Sequence, residues 1–190
     1  PLDTYHIYRI KADPSTGLRA GGSGLVQVTK GKTNNMNACW LPDGGIAFLS
    51  DLKPAFAYCW NTTSPILYRC DANGENMVRL SANYLNDFTP SVMDDGRILY
   101  SRWEYVDRPA IPIQSLWTIS QDGTGLAGYF GNRVLSPATF MEAREIPGTG
   151  KVLCVLTSHN GPCRGGIGII DRAKGANTQT AITKLTPEIR

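Results

Sequence analysis

The chain has 190 residues, 42% of them hydrophobic, which fits one globular unit. A net charge of +3 with no run of Lys or Arg excludes an electrostatically driven nucleic-acid binder, and no apolar stretch approaches the ~18 residues of a membrane-spanning helix. The 20 glycines and 12 prolines suit an all-β chain with many turns.

The chain opens at Pro1-Leu2-Asp3, almost inside a strand-like run, and this end reads as a cut rather than a native start. Residues 7–29, IYRIKADPSTGLRAGGSGLVQVT, predict two strands about an enlarged turn. CWLPDGGIAFLS, residues 39–50, sets Asp43-Gly44 before a β-rich run. LYRCDANGENMVRLS, residues 67–81, carries oxygen donors at Asp71, Asn73 and Asn76, the ligand type calcium takes. A helix–loop–helix calcium site needs glycine at loop position six and Glu at twelve, whereas here Gly74 falls at four and Ala82 at twelve. The stretch is therefore a hairpin turn on Asn73-Gly74. SVMDDGRILYSR (91–102), LWTISQDGTGLAGYF (116–130), ATFMEAREIPGTGKVLCVLTS (138–158) and GIGIIDRAKGANTQTAITKLT (166–186) continue the same alternation.

Asp43 and Asp95 lie 52 residues apart, Tyr68 and Trp117 49, and Trp117 and Ile169 52. A period near fifty with four short strands per unit predicts the blades of a β-propeller. The blade parts are residues 5–29, 39–81, 91–130 and 138–186, making about three and a half blades of one propeller domain over 1–190. That number cannot close a ring of four to eight. The terminal sheets are expected to expose edges and apolar faces that further chain or a second copy would cover, and the chain alone to self-associate.

In an up-and-down blade the Asp-Gly turns share one face, and all are tight. The other face carries the long connections: 51–65, 103–114 and 159–166, with KGKTNNMNA, ANYLNDFTP and GNRVLSP between blades. Long insertions on one side mark the binding side. The candidate binding face is Tyr58, Trp60, Arg102, Trp103, Glu104, Tyr105, Asp107, Arg108 and Arg164, with Asn34, Asn35, Asn37, Asn83 and Asp87 joining from the inter-blade loops. The charges of RWEYVDR also have the option of pairing with one another, and the asparagines of closing local turns. Of the cysteines, Cys39, Cys70 and Cys154 fall in strand runs as small buried hydrophobes. Cys59 and Cys163 fall in loops and, with His159, offer ligands that zinc accepts, although their spacing matches no standard zinc module. No CxxC or CxxCH motif occurs, so the chain attaches no haem of its own, and no catalytic residue is assigned. Asn61-Thr62-Thr63 is formally a glycosylation sequon.

LPDGGIAFLS, LYRCDANGENMVRLS and LWTISQDGTG resemble the TolB-like propeller family. NDFTPSVMDDGRILYSRWEYVDR, FMEAREIPGTGKVLC and SHNGPCRGGIGIID resemble the middle propeller domain of the hydrazine synthase alpha subunit family of planctomycete-type, anammox bacteria, over about Tyr5 to Arg190. The resemblance implies a non-catalytic scaffold within a larger periplasmic or otherwise exported protein. Its partners would be the rest of its own polypeptide or other subunits of an oxidoreductase complex. It also implies that the long-loop face lies against a domain carrying c-type haem, where a loop cysteine could help bind metal. The alternatives are a contribution to a haem or metal active site shared with that domain, and a TolB-like module binding protein partners.

Overall fold

The structure, a computed structural model, describes residues 4–11, 24–57, 61–105, 113–134, 136–159 and 164–187. It is all-β. Strands β1 (Tyr8–Ile10) and β2 (Leu25–Gln27) form an antiparallel pair. Strands β3 (Asn35–Trp40), β4 (Ile46–Ser50), β5 (Ile66–Cys70) and β6 (Val78–Arg79) form a four-stranded antiparallel sheet in chain order. β7 (Asp87–Val92), β8 (Ile98–Glu104), β9 (Ile113–Ile119) and β10 (Ala127–Phe130) make a second meander. β11 (Thr139–Ile146), β12 (Lys151–Thr157), β13 (Gly165–Ile170) and β14 (Ile182–Lys184) make a third. A single parallel bridge, Thr139 to Gln114, joins the last two meanders into one eight-stranded sheet.

Four hairpins share one bonding pattern. The N–H groups of Gly44, Gly74, Gly96 and Gly123 reach back to the carbonyls of Leu41, Asp71, Met93 and Ser120. The residue before each glycine, Asp43, Asn73, Asp95 or Asp122, accepts the N–H two positions on through its side chain. The glycines have φ of 86°, 88°, 83° and 85°, the left-handed conformation that closes a three-residue hairpin loop with a bulge. Asn73, expected to share that conformation, keeps negative φ and serves as the acceptor instead. The DANGEN donors are committed to the turn: Asn73 accepts from Glu75 N–H, and Asn76 donates to Asp71 at 2.7 Å.

The first strands of two four-stranded units start earlier than the sequence reading placed them, at Asn35 and Asp87, whereas that of the third starts at Thr139, beside the expected 138. Each carries a one-residue bulge with a non-glycine residue at positive φ: Asn37 at 52°, Thr89 at 44° and Glu142 at 52°. The extra residue inverts the inside/outside alternation midway, which hides these strands from a period-two reading. Asn35, Asn37 and Asp87, expected in loops, are therefore strand residues. The last connection also differs. Between β13 and β14 the chain makes two 3-10 turns, 172–174 and 179–181, capped by Asp171 and Thr178.

The sheets stack face to face. Ile7 and Val28 pack with Ile46, Phe48, Ile66, Tyr68 and Cys70. Leu49, Ala47 and Leu67 meet Ile98, Tyr100 and Ile119. Leu99, Leu116 and Phe130 meet Phe140, Val152, Cys154 and Ile170, with Phe130 and Phe140 edge-on at 5.5 Å. β4 and β8 are buried on both faces, as their unbroken runs IAFLS and ILYSRW require. Each large apolar side chain so buried contributes about 1.5 to 3 kcal/mol. β12 has an equally apolar run, yet Leu153 and Val155 are only half-buried. At the other end of the stack Tyr8, Leu25 and Trp40 are exposed. No helix among the described residues is long and apolar enough to cross a membrane.

Candidate functional site

Within the first two meanders the tight Asx-Gly hairpins lie at one end and the long connections at the other, and the β12–β13 connection of the third meander joins the long-connection end. The three long connections meet. Ala57 from the β4–β5 connection packs with Leu85 and Trp103, and Phe88 lies against them. The His159 ring, from the β12–β13 connection, sits 5.5 Å from the Trp103 ring, and Tyr105 stands at 5.5 Å on the same indole. Tyr84 clasps this cluster: its hydroxyl accepts from Tyr105 N–H at 3.0 Å and donates to the Tyr105 carbonyl.

Of the sequence-predicted residues, Tyr58, Cys59, Trp60, Asp107, Arg108 and Cys163 lie outside the described residues. Tyr105 and Arg164 are exposed. Trp103 and Glu104 were expected on an open loop, with Arg102 at the strand end before it, but all three are the end of β8, paired through to β9 as far as Glu104 with Ile113. Trp103 is 7% exposed and Arg102 9%. Strand alternation explains the split. Arg102 and Glu104 share one face, where the guanidinium donates to Glu104 Oε1 at 3.0 Å and lies 5.3 Å over the Trp117 ring. Trp103 and Tyr105 take the opposite face. The internal pairing of the RWEYVDR charges thus holds for this one pair.

Asn83 and Asp87 are not on the surface either; both are fully buried. The Asp87 carboxylate accepts from Ser81 Oγ, from Leu67 N–H at 3.2 Å and from Asn83 Nδ2 at 3.1 Å. Asn83 also donates to the carbonyls of Asn86 and Trp103, so it locks the loop between β6 and β7 onto the end of β8. Arg102 stands across from Asp87 in the β7–β8 ladder. Burial pushes the Asp87 carboxyl up to about 6, against the opposing pull of Ser81, Arg102, Asn83 and Leu67. The Tyr100 hydroxyl, buried nearby without a partner, is raised above the ordinary tyrosine value by burial. Burial lowers His159, whose Nδ1 is enclosed without a hydrogen bond. Cys70 and Cys154 are buried in strands as expected, and burial lifts the Cys154 thiol to about 12. Among the described residues no group of three His, Cys, Asp or Glu side chains is placed to hold a metal ion.

The Asp87 network is the feature that sequence reasoning missed. Its signal was the hydroxyl that closes three of the four equivalent strand pairs. Thr29, Ser81 and Thr186 accept the N–H of Ile7, Leu67 and Ile167 respectively, at recurring positions in the chain.

No family model matches the chain, and no curated protein matches it in sequence. Solved structures match it in fold. Hydrazine synthase of Kuenenia stuttgartiensis superposes with a TM-score of 0.75 and 17% identity over 90% of this chain and 29% of that one. A structure of a nidogen/laminin complex gives 0.59 and 13%, over 96% of this chain and 58% of that one. A puromycin-hydrolyzing peptidase of Mycobacterium tuberculosis gives 0.53 and 14%, over 89% and 23%. The chain thus spans less than two thirds of each of these proteins. At such identities the likeness is one of fold.

Proposed function

We propose that this chain is part of a β-propeller, three blades and half of a fourth, acting as a non-catalytic scaffold. Its long-loop end would dock a neighbouring domain or subunit of a larger exported protein of hydrazine synthase alpha type. The observation that carries this reading is the asymmetry between the two ends. Four hairpins at one end consume their own Asx side chains in turn bonds. At the other end three long connections converge on Trp103, with Tyr105 exposed beside it and Arg164 exposed just before β13. Exposed aromatics and arginines of this kind anchor interfaces. The stacking of successive four-stranded units and the superposition on hydrazine synthase support the propeller part of the reading. Binding of the chain to separately expressed neighbouring domains tests it. Arg164→Ala and Arg108→Ala should each weaken binding by about 1 to 4 kcal/mol, and Asp122→Ala should leave it unchanged. The reverse pattern would assign docking to the other end.

One observation favours a second reading, in which this end completes a metal or haem site with its neighbour. His159 presents a buried, unpartnered Nδ1 and lies four residues before Cys163 in the sequence. A neutral imidazole, which its surroundings favour, is the form that binds zinc. Zinc retained by the purified chain, and lost in His159→Ala, Cys163→Ser and Cys59→Ser, would establish this reading.

A further inference from the structure

We propose that the open edge of β1, with the groove between it and β3, is an acceptor site for an apolar antiparallel β-hairpin. This rests on treating the sheets as equivalent units of one stack. The motif Ile7-Tyr8-Arg9-Ile10 matches Leu67-Tyr68-Arg69-Cys70 in bonding as well as in sequence. Ile7 N–H donates to Thr29 Oγ1 at 2.9 Å and its carbonyl accepts Val28 N–H at 2.8 Å. Leu67 N–H donates to Ser81 Oγ at 3.1 Å and its carbonyl accepts Leu80 N–H at 2.9 Å. The strand β5, however, has β4 on its other edge, as β9 has β8 and β13 has β12, whereas β1 pairs with β2 alone among the described strands.

Since Ile7 directs both backbone groups toward β2, alternation turns those of Tyr8 and Ile10 to the unpaired edge. Their side chains are 52% and 44% exposed, against 6% and 0% for Tyr68 and Cys70. The groove beside them, about 260 Å³, runs over Ala38, Cys39 and Trp40. Ala38 follows the bulge of β3 as Ala143 follows that of β11. Ala143 is fully buried, because the β7–β8 hairpin covers it: Ser91 Oγ donates to the Ala143 carbonyl at 2.8 Å, and Ser101 Oγ to that of Phe140. Ala38 is exposed.

The chain's own packing therefore specifies the occupant. It is a hairpin whose second strand, apolar like IAFLS or ILYSRWE, adds to β1, and whose first strand lies along β3. Its insertion extends the Ile7–Val28–Ile46–Phe48 interface already present. Strand addition supplies ladder hydrogen bonds, and the groove supplies side-chain selectivity.

The probe is a synthetic peptide of residues 87–104, the chain's own β7–β8 hairpin, added to the whole chain. Amide hydrogen exchange is followed by NMR. Saturable binding should slow exchange at Tyr8 and Ile10 by about tenfold or more. Ala38→Arg, at an exposed position, should weaken peptide affinity about tenfold or more by filling the groove. Tyr8→Pro removes an N–H that β2 does not use and should weaken it likewise. A scrambled peptide should have no effect. The proposal is overturned if saturating peptide leaves both amides unchanged, or if both variants bind as well as the parent. It is equally overturned if the two amides are already protected in peptide-free chain in a concentration-dependent way, which would make a second copy the occupant. Docking through Arg164 and Arg108 is read at the opposite end of the strands, so its failure leaves this result standing.

Discussion

Asp87 sets the sharpest test of the energetics. Its carboxyl is fully buried, and burial raises it to about 6 from the ordinary 3.8. The folded state then holds a proton that the unfolded state has already released. Between about pH 4 and 6 the folded form binds more protons, so stability falls as pH rises. This contribution is fully present below the unfolded value and lost as pH rises through the folded one. The difference of about 2.2 units corresponds to roughly 3 kcal/mol. Asp87→Asn removes the titration and keeps one of the two acceptor oxygens. It forfeits either the bond from Asn83 or the two from Ser81 and Leu67, at a pH-independent cost of about 1 to 2 kcal/mol. Urea unfolding of both proteins from pH 4 to 7 gives the answer as a difference, in which contributions common to both proteins cancel. The expected outcome is that the wild type loses about 3 kcal/mol relative to the variant across this range. A flat difference would refute the reasoning. So would a wild type that gains on the variant as pH rises, because then the three hydrogen-bond donors and Arg102 outweigh desolvation.

Glycine substitutions should separate strain from collision. Gly44→Ala meets open space and should cost about 1 to 2 kcal/mol for its left-handed φ alone, whereas a Cβ at Gly74 would stand 2.0 Å from the Val28 carbonyl oxygen and should cost about 3 kcal/mol or more, both read by chemical denaturation. Trp103→Ala should destabilise by about 3 to 5 kcal/mol, as for other buried aromatics, while Arg164→Ala should change stability by less than about 0.5 kcal/mol. Equal effects would mean that the indole is not the anchor of the loop cluster. Calcium should not raise the melting temperature, because the Asp71, Asn73 and Asn76 side chains are engaged in the turn, and a calcium-dependent rise abolished by Asp71→Ala would contradict that.

The parts of the fold that were legible in the sequence are those fixed by local rules. Asp43-Gly44, Asn73-Gly74, Asp95-Gly96 and Asp122-Gly123 announced their turns because only glycine takes a φ near 85° without strain, and an Asx side chain stabilises the residue before it. β4 and β8 were legible as unbroken apolar runs. The starts of β3 and β7 were not, nor were the bulges of β3, β7 and β11. At Asn37, Thr89 and Glu142 ordinary residues adopt positive φ, and what holds them there comes from elsewhere in the chain, as when Thr89 Oγ1 accepts Glu142 N–H. The RWEYVDR segment misled for a different reason. Two arginines and two acids suggest a solvated loop, yet Arg102 is neutralised within β8 by Glu104 and covered by Trp117. Composition reports charge, whereas burial depends on the pairing of that charge with a partner two residues along the same face.

The distribution of polar bonding connects fold to use. At the hairpin end each Asx side chain accepts the N–H two positions on, so acceptors there are occupied by the backbone and are of little use to a ligand. At the opposite end the bonding runs inward: Asn83 ties its loop to Trp103, and Asp87 ties β7 to Leu67 and Ser81 in the preceding sheet. The strand ends are thereby fixed, and the long connections rise from a rigid rim. Arg164 stands on that rim, its carbonyl held by Thr157 Oγ1 at 2.8 Å while its side chain is exposed. An interface anchor binds best when its backbone is ordered before the partner arrives, because less conformational entropy is lost on docking. The same network that buries a carboxylate at a cost in stability therefore supports the end of the molecule from which contacts are made. Loosening it with Asp87→Asn should raise stability above pH 6 while leaving the rim less well ordered.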